Sequence, residues 1–353
     1  MHPQVHTLLG FFAILLIGSC KGTDIPTPVL LPAHPVYVVC EGALGSGNSA
    51  LTAYDPDSNT SQANVYPGIN GHPIGDIFQS MTRIGDHYFL CVNNSDKVLV
   101  IQRNDLKEIG SIAIPKPRYI LPFGNTRAYV STLFSNRLYV INTTSLQVTD
   151  TIFMPFKNPE GMLLSGNTAY VCTWDTACNS IYPIDIRTNK AGSPISIAGR
   201  APQEIVQDNE GMLWVLSGNQ ASGVASYLTR IDPSTGLILQ QYAFGTADPL
   251  RLVLNNNKDS LYFIEVSYSG SGTNNGLYRM GIHDARLPTQ AFVSAKGLQY
   301  FWGLDIQPGT GMIYLADPAG FTGAGTVYVY QPDGQLKHQF SSGVGPGHFL
   351  FDQ

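Results

Sequence analysis

The chain has 353 residues, of which only 13% are charged, with a formal net charge of −5, 36 glycines, 23 prolines and 10% aromatic residues. The slight acidity and the absence of any Lys/Arg run remove electrostatic support for a nucleic-acid partner. Few charges beside many turn formers and aromatics point to an all-β protein.

The first predicted element is MHPQVHTLLGFFAILLIGSC, with an apolar run from Leu8 to Gly18. A transmembrane helix needs roughly 20 apolar residues, so this shorter run reads as a signal-peptide core. It ends in Ile17-Gly18-Ser19-Cys20, which resembles the bacterial lipobox, whose Cys thiol accepts diacylglycerol. The leading segment departs from that pattern in having His but no Lys or Arg. The alternative is an ordinary secretory signal with a chance cysteine. The expectation is a signal peptide over 1–19, lipidation of Cys20, and a membrane tether over 20–35, where KGTDIPTPVLLPAHP carries four prolines. The protein is then exported and tethered to a membrane that it does not span.

Residues 36–353 repeat one phrase. Tyr37 (VYVVC), Tyr88 (HYFLC), Tyr129 (AYVST), Tyr170 (AYVCT), Trp214 (LWVLS), Tyr262 (LYFIE) and Tyr314 (IYLAD) align, at a spacing of about 40–50 residues. Each is followed by a second apolar burst such as VLVIQR or LYVINT, a turn such as Asp55-Pro56-Asp57-Ser58, and a third strand such as QVTDTIFM. Six copies are preceded by a short strand, among them SMTRI, RYILPF and QEIVQD. Four short antiparallel strands per unit at this period are the signature of propeller blades. The first unit lacks its innermost strand, and the terminal GHFLFDQ can supply it, leaving no open edge. The predicted fold is an all-β, seven-bladed β-propeller whose first blade is closed by the C-terminal strand. The rival, a sandwich of unrelated hairpins, does not account for seven aromatics in register. Those aromatics are expected to pack between blades.

Strand parity then separates two faces. The loop between blades and the loop between the second and third strands lie on one face, and the remaining turns (GDH, GNT, NEG, DPST, PDG) are terse hairpin formers on the other. The first set is long and glycine-rich: EGALGSGNS, TLFSNR, TWDTACNS, SGNQASGVAS, EVSYSGSGTNNG, DPAGFTGAGT. From these loops come Phe134, Trp174, Asp175, Tyr268 and Phe321. The adjoining inner-strand starts supply Arg118, Tyr119, Glu160, Gln203, Arg251, Tyr300 and Trp302. Loops on a rigid scaffold concentrate function, and this mixture suits a broad ligand with apolar edges and many amides or hydroxyls. Arg118, Glu160, Gln203 and Arg251 are expected to form an inner polar ring, and the aromatic loop tips to clamp the rim. Asn93, Asn94, Gln203, Asn219 and Asn274 are candidate amide partners.

No nucleophile elbow, HExxH or Walker loop is present. DPDSNT imitates the start of a calcium loop, but lacks Gly at its sixth position and has Tyr66 where the twelfth needs Glu. Glu160 and Glu204 could converge near the axis, with Arg118 and Arg251 there to pair them. No residue set argues for an enzyme, a metal or a cofactor. Cys172 and Cys178 in CTWDTAC are either a loop-locking disulfide, which an exported protein permits, or two free thiols. Cys40 and Cys91 read as equivalent buried positions.

The hairpin AYVSTLFSNRLYVINTTSLQV is similar to the YVTN-type propeller repeat. With GHPIGDIFQSM, VNNSDKVLVI, GMLWVLSG, LTRIDPSTG, GLDIQPGTGMIYLAD, GTVYVYQPDG and GVGPGHF, residues 36–353 resemble a family of exported propeller lipoproteins of Gram-negative gut and environmental bacteria. That family includes surface lipoproteins that capture vitamin B12, cap a TonB-dependent outer-membrane barrel and hand it the corrinoid. The resemblance implies a corrinoid such as cobalamin as ligand and such a barrel as partner. A protein- or glycan-docking propeller is the alternative.

Overall fold

The computed structural model describes Val29, residues 31–267 and residues 274–352. The expected signal peptide, Cys20, most of the tether and Tyr268 lie outside the described residues. Seven sheets follow one another along the chain, each with its strands ordered from the inside outward. Blade 1 comprises Val36–Cys40, Ala50–Asp55 and Thr60–Gln62, with Pro346–Phe351 as its inner strand. Blades 2 to 7 begin at Phe78–Ile84, Pro117–Phe123, Pro159–Ser165, Pro202–Gln207, Asp248–Leu254 and Gly303–Ile306. These seven inner strands touch one another in succession, and Pro346–Phe351 touches both Gly303–Ile306 and Phe78–Ile84, so the ring closes. The fold is the expected seven-bladed propeller.

Two details were not legible in the repeats. A short helix, Val65–Asn70, sits between blades 1 and 2 and buries Val65 and Tyr66. Blade 4's outer strand is broken into Lys190–Ala191 and Ile195–Ser196, both paired with Ser180–Asp185.

The blades are glued by side chains. Among the described residues, seven apolar clusters occur, one at each seam between neighbouring blades. Both faces of each sheet are therefore buried, which is why second strands such as VYVVC and LWVLS read as continuous apolar runs. Tyr37, Tyr129, Tyr170, Trp214, Tyr262 and Tyr314 each face the following blade. Blade 2 departs by one residue: Phe89 takes that position, facing blade 3, while Tyr88 turns back to meet Tyr37 at 5.5 Å, edge to face. A one-residue slip reverses every side chain on a strand. It also separates Cys40, which faces blade 7, from Cys91, which faces blade 3, so these two are buried but not equivalent.

The terse turns behave as expected. Gly85, Gly124 and Gly166, each the first residue of its loop, have φ 59°; Gly85 and Gly166 open two-residue hairpins, where type II′ needs that positive value. The Asp55 turn is a hairpin, with Asp55 Oδ1 accepting the Asp57 N–H at 3.0 Å and Oδ2 the Ser58 hydroxyl at 2.6 Å.

The ring is latched at its junction. Asp352, just past the closing strand, accepts hydrogen bonds from Arg83 Nη1 at 3.1 Å and Arg103 Nε at 2.8 Å, both in blade 2, while its N–H donates to the Pro35 carbonyl at 3.1 Å. The carboxylate side chain is 7% exposed and the two arginines are 38% and 33% exposed, so removing it deletes a pair of charge-assisted contacts across the seam. Asp352→Ala should lower the thermal midpoint by several degrees in a calorimetric scan; an unchanged midpoint would show that the strand pairing alone closes the ring.

Candidate functional site

The site is built where the inner strands begin. Six of the seven pair irregularly at that end, with the register skipping between Phe78 and Ser80, Pro117 and Ile120, Pro159 and Met162, Pro202 and Glu204, Leu250 and Val253, and Pro346 and His348. A bulge frees residues from the ladder and re-aims their side chains. The skipped residues are Gln79, Arg118 with Tyr119, Glu160 with Gly161, Gln203, Arg251 with Leu252, and Gly347. This set holds the polar ring expected from the sequence. Backbone strain accompanies it. Ile77, Lys116, Asn158 and Ala201, each immediately before an inner strand, have φ between 46° and 61°, and Arg251 itself has φ 61°. Side chains with a Cβ disfavour this region, and such strain clusters at functional sites.

The two loop classes share this face, as the backbone bonds Asn93 N–H to Ile77 O, Leu133 N–H to Lys116 O, Trp174 N–H to Asn158 O and Gly218 N–H to Ala201 O show. Together they surround an axial funnel of about 410 Å³, walled by Glu41, Gln79, Arg118, Tyr119, Glu160, Gln203, Glu204 and Arg251, with Trp174, Leu250 and Trp302 among its apolar wall. A second chamber of about 260 Å³ shares Tyr119, Gln203, Glu204 and Arg251 with it and adds Asp305, His348 and apolar Ile120, Met162 and Leu304.

The ring is a chain of paired groups. Arg118 Nε donates to both Glu160 oxygens at 3.1 Å, and its Nη1 donates to Gln79 Oε1, joining blades 2, 3 and 4. Arg251 joins blades 5, 6, 7 and 1. Its N–H donates to Glu204 Oε1 at 3.1 Å, its Nε to the Trp302 carbonyl at 3.0 Å, and its Nη2 to Glu41 Oε1 at 3.4 Å. Its Nη1 meets His348 Nε2 at 2.7 Å. A guanidinium only donates, so His348 Nε2 accepts and the imidazole is neutral. Burial and then the nearby Arg251 and Arg118 push its pKa well below the usual range. Burial opposes the charge on Arg118, but Glu160, Tyr119 and Glu41 together outweigh it and hold the guanidinium above its usual range. Burial raises Glu204 against the pull of Arg251, and pushes Tyr119 up to about 12. Trp302 Nε1 donates to Glu41 Oε1 at 2.9 Å, and the Arg251 guanidinium lies 5.3 Å from the Trp302 ring centre. Close packing makes this geometry specific: a Cβ on Gly347 would overlap Glu41 Oε1, and one on Gly161 would overlap the Gln203 carbonyl.

Of the residues expected from sequence, Arg118, Tyr119, Glu160, Trp174, Gln203, Arg251 and Trp302 line the funnel. Trp174 is held there by its Nε1 bond to the Gly218 carbonyl at 3.1 Å. Phe134 stands on the rim, 72% exposed. Tyr300 and Phe321 pack against Trp302 with ring centres 6.5 and 5.5 Å away, and support the wall without lining it. Asp175 accepts the Ala177 N–H at 2.9 Å and shapes its own loop. The amides of Asn93 and Asn94 bind the Pro117 carbonyl and Asp76, so they too hold loops in place. Cys172 and Cys178 are buried free thiols. Cys172 packs in the seam between blades 4 and 5, while Cys178 packs in that between blades 3 and 4 and donates to the Ser180 carbonyl at 3.2 Å. The expected site residues omitted Glu41 and Asp248, while Glu204 stands near the axis beside Arg251 as expected. Glu41 carries the one sequence signal that marks it, a carboxylate directly after the apolar run VYVVC.

Two predictions test this arrangement. Gly347→Ala should destabilise the fold by about 1–3 kcal/mol through overpacking at the axis; denaturant unfolding indistinguishable from wild type would mean the Glu41–Arg251 contact is loose. Burial pushes Asp305 up to about 7, against the Ile306 N–H and Arg251, and burial likewise raises Glu265 to about 7. The folded state then keeps protons that the unfolded state releases, so stability present at acid pH declines as pH rises from the ordinary carboxylate range through about 7. Asp305→Asn should flatten part of that decline in melts taken from pH 4 to 8, and an unchanged slope would remove Asp305 as its source.

Comparison with solved structures shows the fold alone. A quinoprotein alcohol dehydrogenase-like protein of Bacteroides thetaiotaomicron is 13% identical with a TM-score of 0.69, over 90% of this chain and 78% of that one. The periplasmic gluconolactonase of Pseudomonas aeruginosa is 12% identical with a TM-score of 0.67, over 91% and 99%. Hydrazine synthase of Kuenenia stuttgartiensis is 15% identical with a TM-score of 0.61, over 76% and 87%. Comparison with curated proteins finds no match. One family model spans residues 34–342, nearly the whole propeller, and on that match the chain belongs to the DUF5074 family, a domain of unknown function.

Proposed function

We propose that this propeller is a non-enzymatic capture protein that binds a corrinoid such as cobalamin on its loop-rich face. In this reading it is exported, anchored in the outer membrane by lipid on Cys20, and passes its ligand to a TonB-dependent transporter. The observation that carries the reading is the axial funnel, whose wall combines amide and carboxyl groups with the indoles of Trp174 and Trp302. A corrinoid is a wide disk rimmed with carboxamides. Its amide N–H groups match carboxylate acceptors such as Glu41, its amide carbonyls match the Gln79 and Gln203 side chains, and its apolar edges match the indoles. A funnel of about 410 Å³ admits one edge of such a disk while the rest covers the mouth. The paired charges fix the walls before the ligand arrives, which limits the ordering cost of binding. The likeness of the repeats to those of vitamin B12-capturing lipoproteins supports the same ligand.

Calorimetric titration with cyanocobalamin should give binding at micromolar concentration or tighter, and Trp302→Ala should weaken it by about 30-fold, the effect of a central aromatic anchor worth about 2 kcal/mol. No heat and no thermal shift at micromolar ligand would eliminate the corrinoid. A second reading rests on Leu44 and Phe134, which stand 76% and 72% exposed on the same face and suit a protein or glycan docked over it. Recovery of a TonB-dependent barrel in a pull-down, with no small molecule bound, would favour that reading.

A further inference from the structure

Resting on the capture reading, we propose that the funnel selects its ligand by charge, admitting an uncharged carboxamide edge and rejecting the same ligand with a carboxylate there, and that Glu41 sets this preference. Four carboxyl groups line the funnel, Glu41, Glu160, Glu204 and Asp248, against two guanidiniums, Arg118 and Arg251. Neither cation is at liberty. Each side-chain nitrogen of Arg118 already bonds Glu160 or Gln79. Those of Arg251 bond the Trp302 carbonyl, His348 and Glu41. Glu160 is satisfied by Arg118, and Glu204 by the backbone N–H groups of Arg251 and Leu252.

Glu41 differs. Its side chain is 9% exposed, and its Oε1 takes the bonds from Trp302 and Arg251, while nothing among the described residues donates to its Oε2. An open carboxylate oxygen on the wall of the funnel asks for an N–H donor. A ligand amide supplies one. A ligand carboxylate would set lone pairs against lone pairs, with Arg118 paired to Glu160 and Gln79 and Arg251 already shared among Glu41, His348 and the Trp302 carbonyl, and such like-charge contacts are an effective means of rejection. Asp248, on the same wall, adds to the excess of acceptors.

The test compares cyanocobalamin with its peripheral monocarboxylic acids, each having one ring carboxamide hydrolysed, by calorimetry at pH 7 and fixed ionic strength. At least one acid isomer should bind the wild-type protein ten or more times more weakly than the amide. Glu41→Gln should narrow that gap to about threefold or less, because it removes the repelling charge and releases the Arg251 guanidinium. Asp248→Asn, read in the same titration, gives a second measurement should Glu41→Gln fail to fold, and it too should narrow the gap. Equal binding of amide and every acid by the wild type, or a gap unchanged in the folded variants, overturns charge selection while leaving capture intact. No heat with any of these compounds overturns capture and selection together.

Discussion

A ring of wedges holds only if the last wedge meets the first. Here that junction is one antiparallel pair, Val36–Cys40 against Pro346–Phe351. It converts seven sheets, each with an exposed inner edge, into a closed disk, and it brings Glu41 beside residues 210 and 261 positions away, Arg251 and Trp302. The apolar seams supply cohesion, since fully buried aromatics such as Trp214 and Tyr314 fill the gaps between sheets. At the closing seam Tyr54 and Phe340 stack with ring centres 4.0 Å apart. Cohesion of this kind has no direction. The hydrogen-bonded junction and the Asp352 latch decide which wedges are neighbours.

Closure creates a crowded axis, and the bulges determine what fills it. A regular inner strand would alternate its side chains toward the two neighbouring blades. By freeing one or two residues at the start of six strands, the bulges turn long polar side chains inward on the loop-rich side. Charges buried there carry a desolvation penalty that only close pairing offsets. Arg118 with Glu160, and Arg251 with Glu41, Glu204 and His348, meet that requirement across blade boundaries. Such a network fixes geometry more than it adds stability.

The two faces of the disk answer to different constraints. The terse face is limited by hairpin chemistry, with Gly85, Gly124 and Gly166 in matching positions. The other face is free of it, and its loops vary in length while remaining tied to the inner-strand entrances by backbone bonds. That asymmetry places exposed Leu44 and Phe134 around a funnel whose own walls are nearly buried.

The repeated aromatic, the turn formers and the missing first strand were enough to count blades, foresee the closure and separate the loop-rich face from the terse one, because these follow from local periodicity and strand parity. Arg118, Glu160, Gln203 and Arg251 were legible as inner-strand starts for the same reason. The one-residue slip in HYFLC was not legible, since adjacent Tyr88 and Phe89 satisfy either register and only the neighbouring blades choose between them. Nor could spacing show that Asp175, Asn93 and Asn94 hold loops while Glu41 reaches the axis. Hydrophobic pattern is written residue by residue along a strand and survives in the sequence. The partners of a buried charge are set by where distant segments meet, and that was decided only when the ring closed.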